Sequence, residues 1–190
     1  TSTAINTARK YGSGAGEYTA AIFFAGRTPP PSSSSADTEI WDGSTWTEVA
    51  ETNEIKNSMG SGGTATAGII YGGAVNPLPS PPSTANTEYW NGSAWSEQNN
   101  MNTARNETAS ATRGTTTASL AFGGDSPPND NHADTELWKG TNWTKVNDMN
   151  LGKTQLAGGG TTTSAIAMGG DATPGPSAQT ELYNGTNWTE

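Results

Sequence analysis

Apolar residues along this chain come in four short runs: Ala21-Ile22-Phe23-Phe24, Gly68-Ile69-Ile70-Tyr71, Ser119-Leu120-Ala121-Phe122 and Ala165-Ile166-Ala167-Met168. Runs this short, bounded by glycine, predict buried strands, because a helix would need more length, caps and a 3.6-residue period. Ile22, Ile69, Leu120 and Ile166 share one column, and Phe24, Tyr71, Phe122 and Met168 share the column two residues on. A spacing of two places both columns on one strand face. The runs end at Gly26, Gly72-Gly73, Gly123-Gly124 and Gly169-Gly170. Gly26, Gly73, Gly124 and Gly170 therefore mark places where the backbone needs positive φ or a neighbouring segment comes very close. Ala25 replaces the first glycine of unit one, so that position is expected to accept a Cβ.

Each apolar run is preceded by a Gly/Ser/Thr stretch, such as 114–118 or 160–164, and before that by a link ending in a basic residue. The links are Asn6-Thr7-Ala8-Arg9, Asn53-Glu54-Ile55-Lys56, Asn102-Thr103-Ala104-Arg105 and Asn150-Leu151-Gly152-Lys153, the second departing from the others. Threonine and small residues favour closely spaced strands. After each run comes a Pro/Ser-rich connection of variable length: 27–37, 74–86, 125–134 and 171–179.

Every unit closes on nearly the same phrase. It reads Thr38-Glu39-Ile40-Trp41-Asp42-Gly43-Ser44-Thr45-Trp46, then Thr87 to Trp95, Thr135 to Trp143 and Thr180 to Trp188. Asn-Gly or Asp-Gly inside the phrase predicts a tight hairpin turn. A four-residue loop would set Trp90 opposite Trp95; two-residue registers are the alternative. One unit thus holds four short strands: one of small residues, one apolar, and a hairpin with aromatic arms.

The threonines that open the phrases fall 45 to 49 residues apart. That period with four antiparallel strands per unit predicts propeller blades, none stable without neighbours to cover its faces. The expected fold is all-β: a four-bladed β-propeller of four-stranded antiparallel blades. It forms one domain, 1–190, with approximate repeats 1–50, 51–99, 100–147 and 148–190. Aligned on Asn-Thr-Ala-Arg, Thr1 to Ile5 match Glu97 to Met101, so the end of the chain runs into its beginning in phase. Closure of blade four onto blade one is the expectation; a segment cut from a longer array explains the same phase.

Gly-Gly after an apolar strand, an aromatic after Thr-Glu, a tryptophan a few residues on and a basic residue before the next unit resemble the kelch repeat. The resemblance covers the whole chain four times and implies kelch-like blades, although kelch propellers usually carry six or seven. The Thr-Glu-x-Trp-Asn-Gly-x-x-Trp phrases and Asn-Thr-Ala-Arg links are also similar to kelch-like arrays in tail-fibre and other structural proteins of marine bacteriophages. One group of kelch-like enzymes performs copper-radical oxidation with a cysteine-linked tyrosine and two histidines. This chain has no cysteine and one histidine.

The 190 residues are 31% hydrophobic and only 14% charged, with 24 Gly and 11 Pro. Low charge and periodic clustering of the apolar residues argue against disorder. A net charge of −9 with nine basic residues spread along the chain gives no surface for phosphate, so nucleic acid is not an expected partner. No run approaches the roughly 18 apolar residues of a membrane span, and no membrane insertion is expected. The absence of cysteine excludes disulfides, thiolate metal sites and cysteine nucleophiles.

Two roles are open for the aromatic pairs Trp41/Trp46, Trp90/Trp95, Trp138/Trp143 and Tyr183/Trp188. They could stack on sugars at an exposed rim, with Trp46, Trp95, Trp143 and Trp188 as binding residues, or bury one another between blades, which suits a chain with few other large side chains. Glu39, Glu88, Glu136 and Glu181 recur at one position. They could ring a channel around a cation, but bonding to backbone or to a link cation such as Arg105 or Lys153 is the expected role. His132 lies in the polar stretch 129–134 and has no recognisable catalytic context. Asp125, Asp130 and Asp134 lack the spacing of a calcium loop. No metal or cofactor is expected. Asn-x-Ser/Thr triplets at Asn91, Asn106, Asn142, Asn184 and Asn187 follow from composition and repetition.

The variable connections, represented by Pro30, Pro79, Asn129 and Pro174, are the best contact candidates, because loops carry function on rigid scaffolds. The expectation is a non-enzymatic structural or attachment module of a virion or cell surface, of phage tail-fibre or capsid-associated type and placed on a virion or outside the cell; the alternative is a carbohydrate-binding lectin with repeated sites near the Trp phrases. The module's partners would be other virion or surface proteins, with cell-surface glycans as the alternative and a homo-oligomer allowed.

Overall fold

A computed structural model describes residues 3–29, 33–75, 83–111, 113–127 and 131–190. The described residues form strands, turns and loops with no helix. Blade one is β1 (Ser13–Glu17), β2 (Ala20–Arg27), β3 (Ser34–Trp41) and β4 (Trp46–Val49). A short β5 (Lys56–Asn57) precedes β6 (Gly60–Thr64) and β7 (Ala67–Tyr71), and β8 (Ala74–Val75) precedes β9 (Thr87–Trp90) and β10 (Trp95–Gln98). Blade three is β11 (Ala109–Ser110), β12 (Ser119–Phe122), β13 (Thr135–Trp138) and β14 (Trp143–Val146). Blade four begins with β15 (Ala157–Thr161) and β16 (Ser164–Met168), carries the small hairpin β17 (Asp171–Ala172) and β18 (Gly175–Pro176), and ends with β19 (Thr180–Tyr183) and β20 (Trp188–Thr189).

Each blade is an antiparallel sheet whose four main strands lie in chain order, while β5–β8 and β17–β18 form two small separate ladders. First strands of successive blades lie side by side, β1 by β6, β6 by β11 and β11 by β15. The four sheets are arranged as a four-bladed β-propeller. Antiparallel order puts the variable connections and the inter-blade links on one face of the molecule. The tight turns within blades lie on the other.

The hairpins take the four-residue loop. Trp41 pairs with Trp46, Trp90 with Trp95, Trp138 with Trp143 and Tyr183 with Trp188. Asn91 Oδ1 accepts the backbone N–H of Ser93 and Ala94, both at 2.9 Å, and Asn184 and Asp42 do the same in their own turns. Lys139 has no side-chain oxygen, and its turn keeps only the main-chain bond from Lys139 to Asn142. The N–H of Thr45, then the hydroxyl and N–H of Ser44, hold the Asp42 carboxyl at about 2. A folded-state pKa below the unfolded value makes this contribution complete above the ordinary carboxylate range, and it is lost as pH falls towards about 2. Asp42→Asn installs the residue of blade two. It is expected to preserve the turn and abolish its acid dependence, read from the amide shifts of residues 44 and 45 between about pH 5 and 2.

The two apolar columns face the following blade. Ile22 and Phe24 pack on Ile70, Trp90 and Trp95. Ile69 and Tyr71 pack on Ala121, Trp138 and Trp143. Leu120 and Phe122 pack on Ala167, Tyr183 and Trp188. Every such junction contains an edge-on or tilted aromatic pair: Phe24–Trp95 at 5.4 Å, Tyr71–Trp143 at 4.7 Å and Phe122–Trp188 at 4.9 Å. Each is locked by one indole N–H donated back to a buried threonine hydroxyl. The bonds are Trp95 to Thr38 at 3.1 Å, Trp143 to Thr87 at 2.9 Å and Trp188 to Thr135 at 3.0 Å.

Between blades four and one the pattern stops. Phe24, Tyr71 and Phe122 are fully buried, whereas Met168, their counterpart in blade four, is 38% exposed and Leu182 is 53% exposed. Trp41, Trp46 and Phe23 of blade one are only half-buried. None of the three core clusters joins these blades. The expectation that blades one and four bury each other's faces is corrected here.

Gly26, Gly73, Gly124 and Gly170 have φ of 108°, 108°, 105° and 94°. A Cβ there would lie 2.6–2.9 Å from the carbonyl oxygens of Lys10, Asn57, Asn106 and Thr154. Both reasons for glycine therefore apply. Ala25 keeps the left-handed conformation of the glycines it replaces, with φ of 54°, and is fully buried. The position accepts a Cβ at a torsional cost of about 1 kcal/mol.

Candidate functional site: the loop face and its axial cavity

The repeated glutamates are bound into the scaffold. Glu136 accepts the backbone N–H of Asn102 at 2.7 Å, its side-chain amide at 2.8 Å and the Arg105 guanidinium at 3.0 Å. Glu39 accepts Asn6 N–H and Arg9, both at 2.6 Å. Glu88 accepts Asn53 at 2.7 and 3.0 Å, and Glu181 accepts Asn150 at 2.6 and 3.0 Å. Lys56 Nζ lies 3.0 Å from Glu88 and Lys153 Nζ 3.4 Å from Glu181, ion pairs without hydrogen-bond geometry. Link two, which departs in sequence, thus keeps the same contacts in space. Burial lowers the pKa of Arg105 more than the charges of Glu136 and Asp134 raise it. The four carboxylates are buried, and each serves as the clasp of its own link.

The tryptophans considered for binding are divided by their environment. Trp95, Trp143 and Trp188 are buried within the three packed junctions. Sugar stacking needs an open ring face, so the binding role allowed to these three is corrected to core, as for Trp90, Trp138 and Tyr183. Trp46 alone of the four is half-exposed.

Four link residues converge on the loop face. Tyr11, Ser58, Glu107 and Gln155 each take positive φ, between 54° and 58°, although none is glycine. That conformation costs about 1 kcal/mol or more per residue and persists only where surrounding contacts impose it. Here Ser58 N–H donates to Tyr11 C=O and Glu107 N–H to Ser58 C=O, both at 2.8 Å. The links are thereby stapled from blade to blade around an axial cavity of 590 Å³. Its wall combines Arg27, Asn57, Asn106 and Glu107 with the exposed Tyr11 ring, and it draws residues from all four blades. Glu107 is engaged by the Thr154 hydroxyl at 2.7 Å. Such a wall can hold a polar group by hydrogen bonds.

The variable connections start at this mouth. Arg27 bridges Lys10, Asp125 bridges Asn106 and Asp171 bridges Thr154, while β5 and β8 pair at the same place in blade two. Pro174 is exposed at the tip of the β17–β18 hairpin. Pro30, Pro79 and Asn129 lie outside the described residues, as does Asp130. Sequence reasoning missed the four left-handed link residues because Tyr, Ser, Glu and Gln have no chemistry in common. Their only signal is a fixed place two residues after Arg9, Lys56, Arg105 and Lys153.

A second contact was also invisible in the sequence. His132 Nε2 lies 2.7 Å from Ser126 Oγ, and Nδ1 lies 3.1 Å from Asp134 Oδ2. This order is that of a nucleophile, base and orienting acid. Burial would raise the Asp134 pKa, but hydrogen bonds from Lys145 and His132 and the charge of Arg105 hold it below the usual carboxylate range. Ser126 does not line the axial cavity. The three residues bridge the two ends of one connection and serve as a brace within it. No protein-family model matches the chain, and no curated protein matches it either.

Proposed function

We propose that this propeller is a non-enzymatic attachment module of a virion or cell surface, making its contacts through the loop face. The observation that supports it is the division of labour between repeats. The recurring glutamates, the link cations and three of the four tryptophans that close the hairpin phrases are consumed by packing, while nearly all the length differences between repeats fall in the connections around the axial mouth. A rigid frame with variable loops on one face is the usual arrangement of a recognition surface. The similarity of the Trp phrases and links to kelch-like arrays of bacteriophage structural proteins supports a virion setting.

The test is adhesion of the fluorescently labelled chain to a panel of intact bacterial cells. Adhesion to a subset of strains is expected. Replacing 76–82 or 127–131 by Gly/Ser of equal length is expected to abolish it with the urea midpoint unchanged. Adhesion that survives both replacements, or none to any strain, would count against the reading. So would covalent labelling of Ser126 by a fluorophosphonate together with ester turnover.

A further inference from the structure

We propose that the open seam between blade four and blade one is a docking surface for a second copy of this chain. The two copies join head to tail, blade four of each covering blade one of the other. Three junctions inside the chain define what such a surface must contain. The leading blade offers an aliphatic residue, a large residue two positions on and a threonine hydroxyl. The following blade offers a tryptophan that packs on the large residue and donates its indole N–H to that hydroxyl.

Both halves of a fourth such junction are present and unused. Blade four presents Ile166, Met168 and Leu182, and Thr180 is exposed where Thr38, Thr87 and Thr135 are buried. Blade one presents Trp46, and among the described residues its indole N–H has no acceptor, unlike those of Trp95, Trp143 and Trp188. Trp41 lies beside it, ring centroids 5.5 Å apart, and Phe23 and Trp41 are half-buried where their counterparts Ile70 and Trp90 are fully covered in blade two.

The complement of each face is therefore the other face of this same chain. A non-self-complementary patch of this kind forms a head-to-tail contact, which closes when two copies satisfy each other reciprocally. The contact continues the established inter-blade packing and needs no new chemistry. Burying exposed apolar side chains drives it, and the Trp46-to-Thr180 hydrogen bond sets its register.

The measurement is sedimentation equilibrium, by analytical ultracentrifugation of the 190-residue chain over about 1–100 μM, a range that spans common transient to stable affinities. A dimer is expected to populate as concentration rises, with a blue shift of tryptophan emission as Trp46 is covered. Met168→Glu changes a side chain that is already exposed, so folding is preserved, and it is expected to leave only monomer across the range. Thr180→Val keeps shape and removes the acceptor, and is expected to weaken dimerisation by roughly fivefold. A monomer at every concentration overturns the proposal. So does a dimer that persists unchanged in both variants, or a monomer whose Trp46 is already as shielded from acrylamide as the other hairpin indoles.

Discussion

Glu136→Ala is expected to destabilise the protein by about 3–5 kcal/mol, because it leaves a buried guanidinium without its counter-charge. Arg105 is fully buried, and among the described residues its side chain bonds, apart from Glu136, only to the carbonyl oxygens of Gly123 and Asp134. The same substitution removes the acceptor for the backbone and side-chain amides of Asn102. Such a loss is a large share of the roughly 5–15 kcal/mol by which domains are stable. Arg105→Lys should cost much less, since Lys56 and Lys153 hold the same position in blades two and four. Urea unfolding of the two variants checks this. Equal losses would mean that guanidinium geometry, and not the buried charge pair, carries the effect. The lowered pKa of Arg105 shows that burial outweighs its attractions. Desolvation offsets the attraction within a buried ion pair, so the importance of this one lies in the penalty for breaking it.

Trp143→Ala is the second large effect, expected to cost about 3–5 kcal/mol. The ring sits between Tyr71 at 4.7 Å and Trp138 at 5.5 Å, and its N–H bonds to Thr87. Alanine leaves a cavity at the junction of blades two and three and orphans a buried hydroxyl. Trp143→Phe retains most of the packing and is expected to cost about 1 kcal/mol beyond the lost ring area, the net worth of a hydrogen bond. Trp46→Ala is the internal comparison. It removes the repeat-equivalent side chain where no leading blade packs against it, so in dilute solution its cost should be a small fraction of that of Trp143→Ala. Denaturant midpoints of the two variants at low micromolar concentration decide the matter. Similar midpoints would mean that Trp46 is packed as tightly as its counterparts.

Much of the scaffold was legible in the sequence because its determinants are local. The short apolar runs became the second strand of each blade, and the two columns two residues apart fell on one face, as the alternation of strand side chains requires. The glutamate column was legible as a structural clasp, since a carboxylate repeated opposite a repeated cation has a simple electrostatic reading. The hairpin register was open between loop lengths. It was settled by Asp42, Asn91 and Asn184 accepting N–H groups across a four-residue turn. The loop face was only half legible. Variable connections announce themselves by composition, but Tyr11, Ser58, Glu107 and Gln155 do not, because their common feature is a backbone conformation imposed by neighbouring blades.

The sequence by itself determined four units, four strands in each, the apolar columns that share one strand face and the tryptophan and glutamate that recur in every unit. Only the tertiary structure decided which junctions are filled. Phe24, Tyr71 and Phe122 meet the tryptophan of the next blade, and Met168, written in the same column, meets none within the described residues. The physical reason is that strand pattern is set by a few neighbouring residues. Whether the last blade reaches the first depends on the rotation accumulated over every junction, a sum that no single repeat encodes.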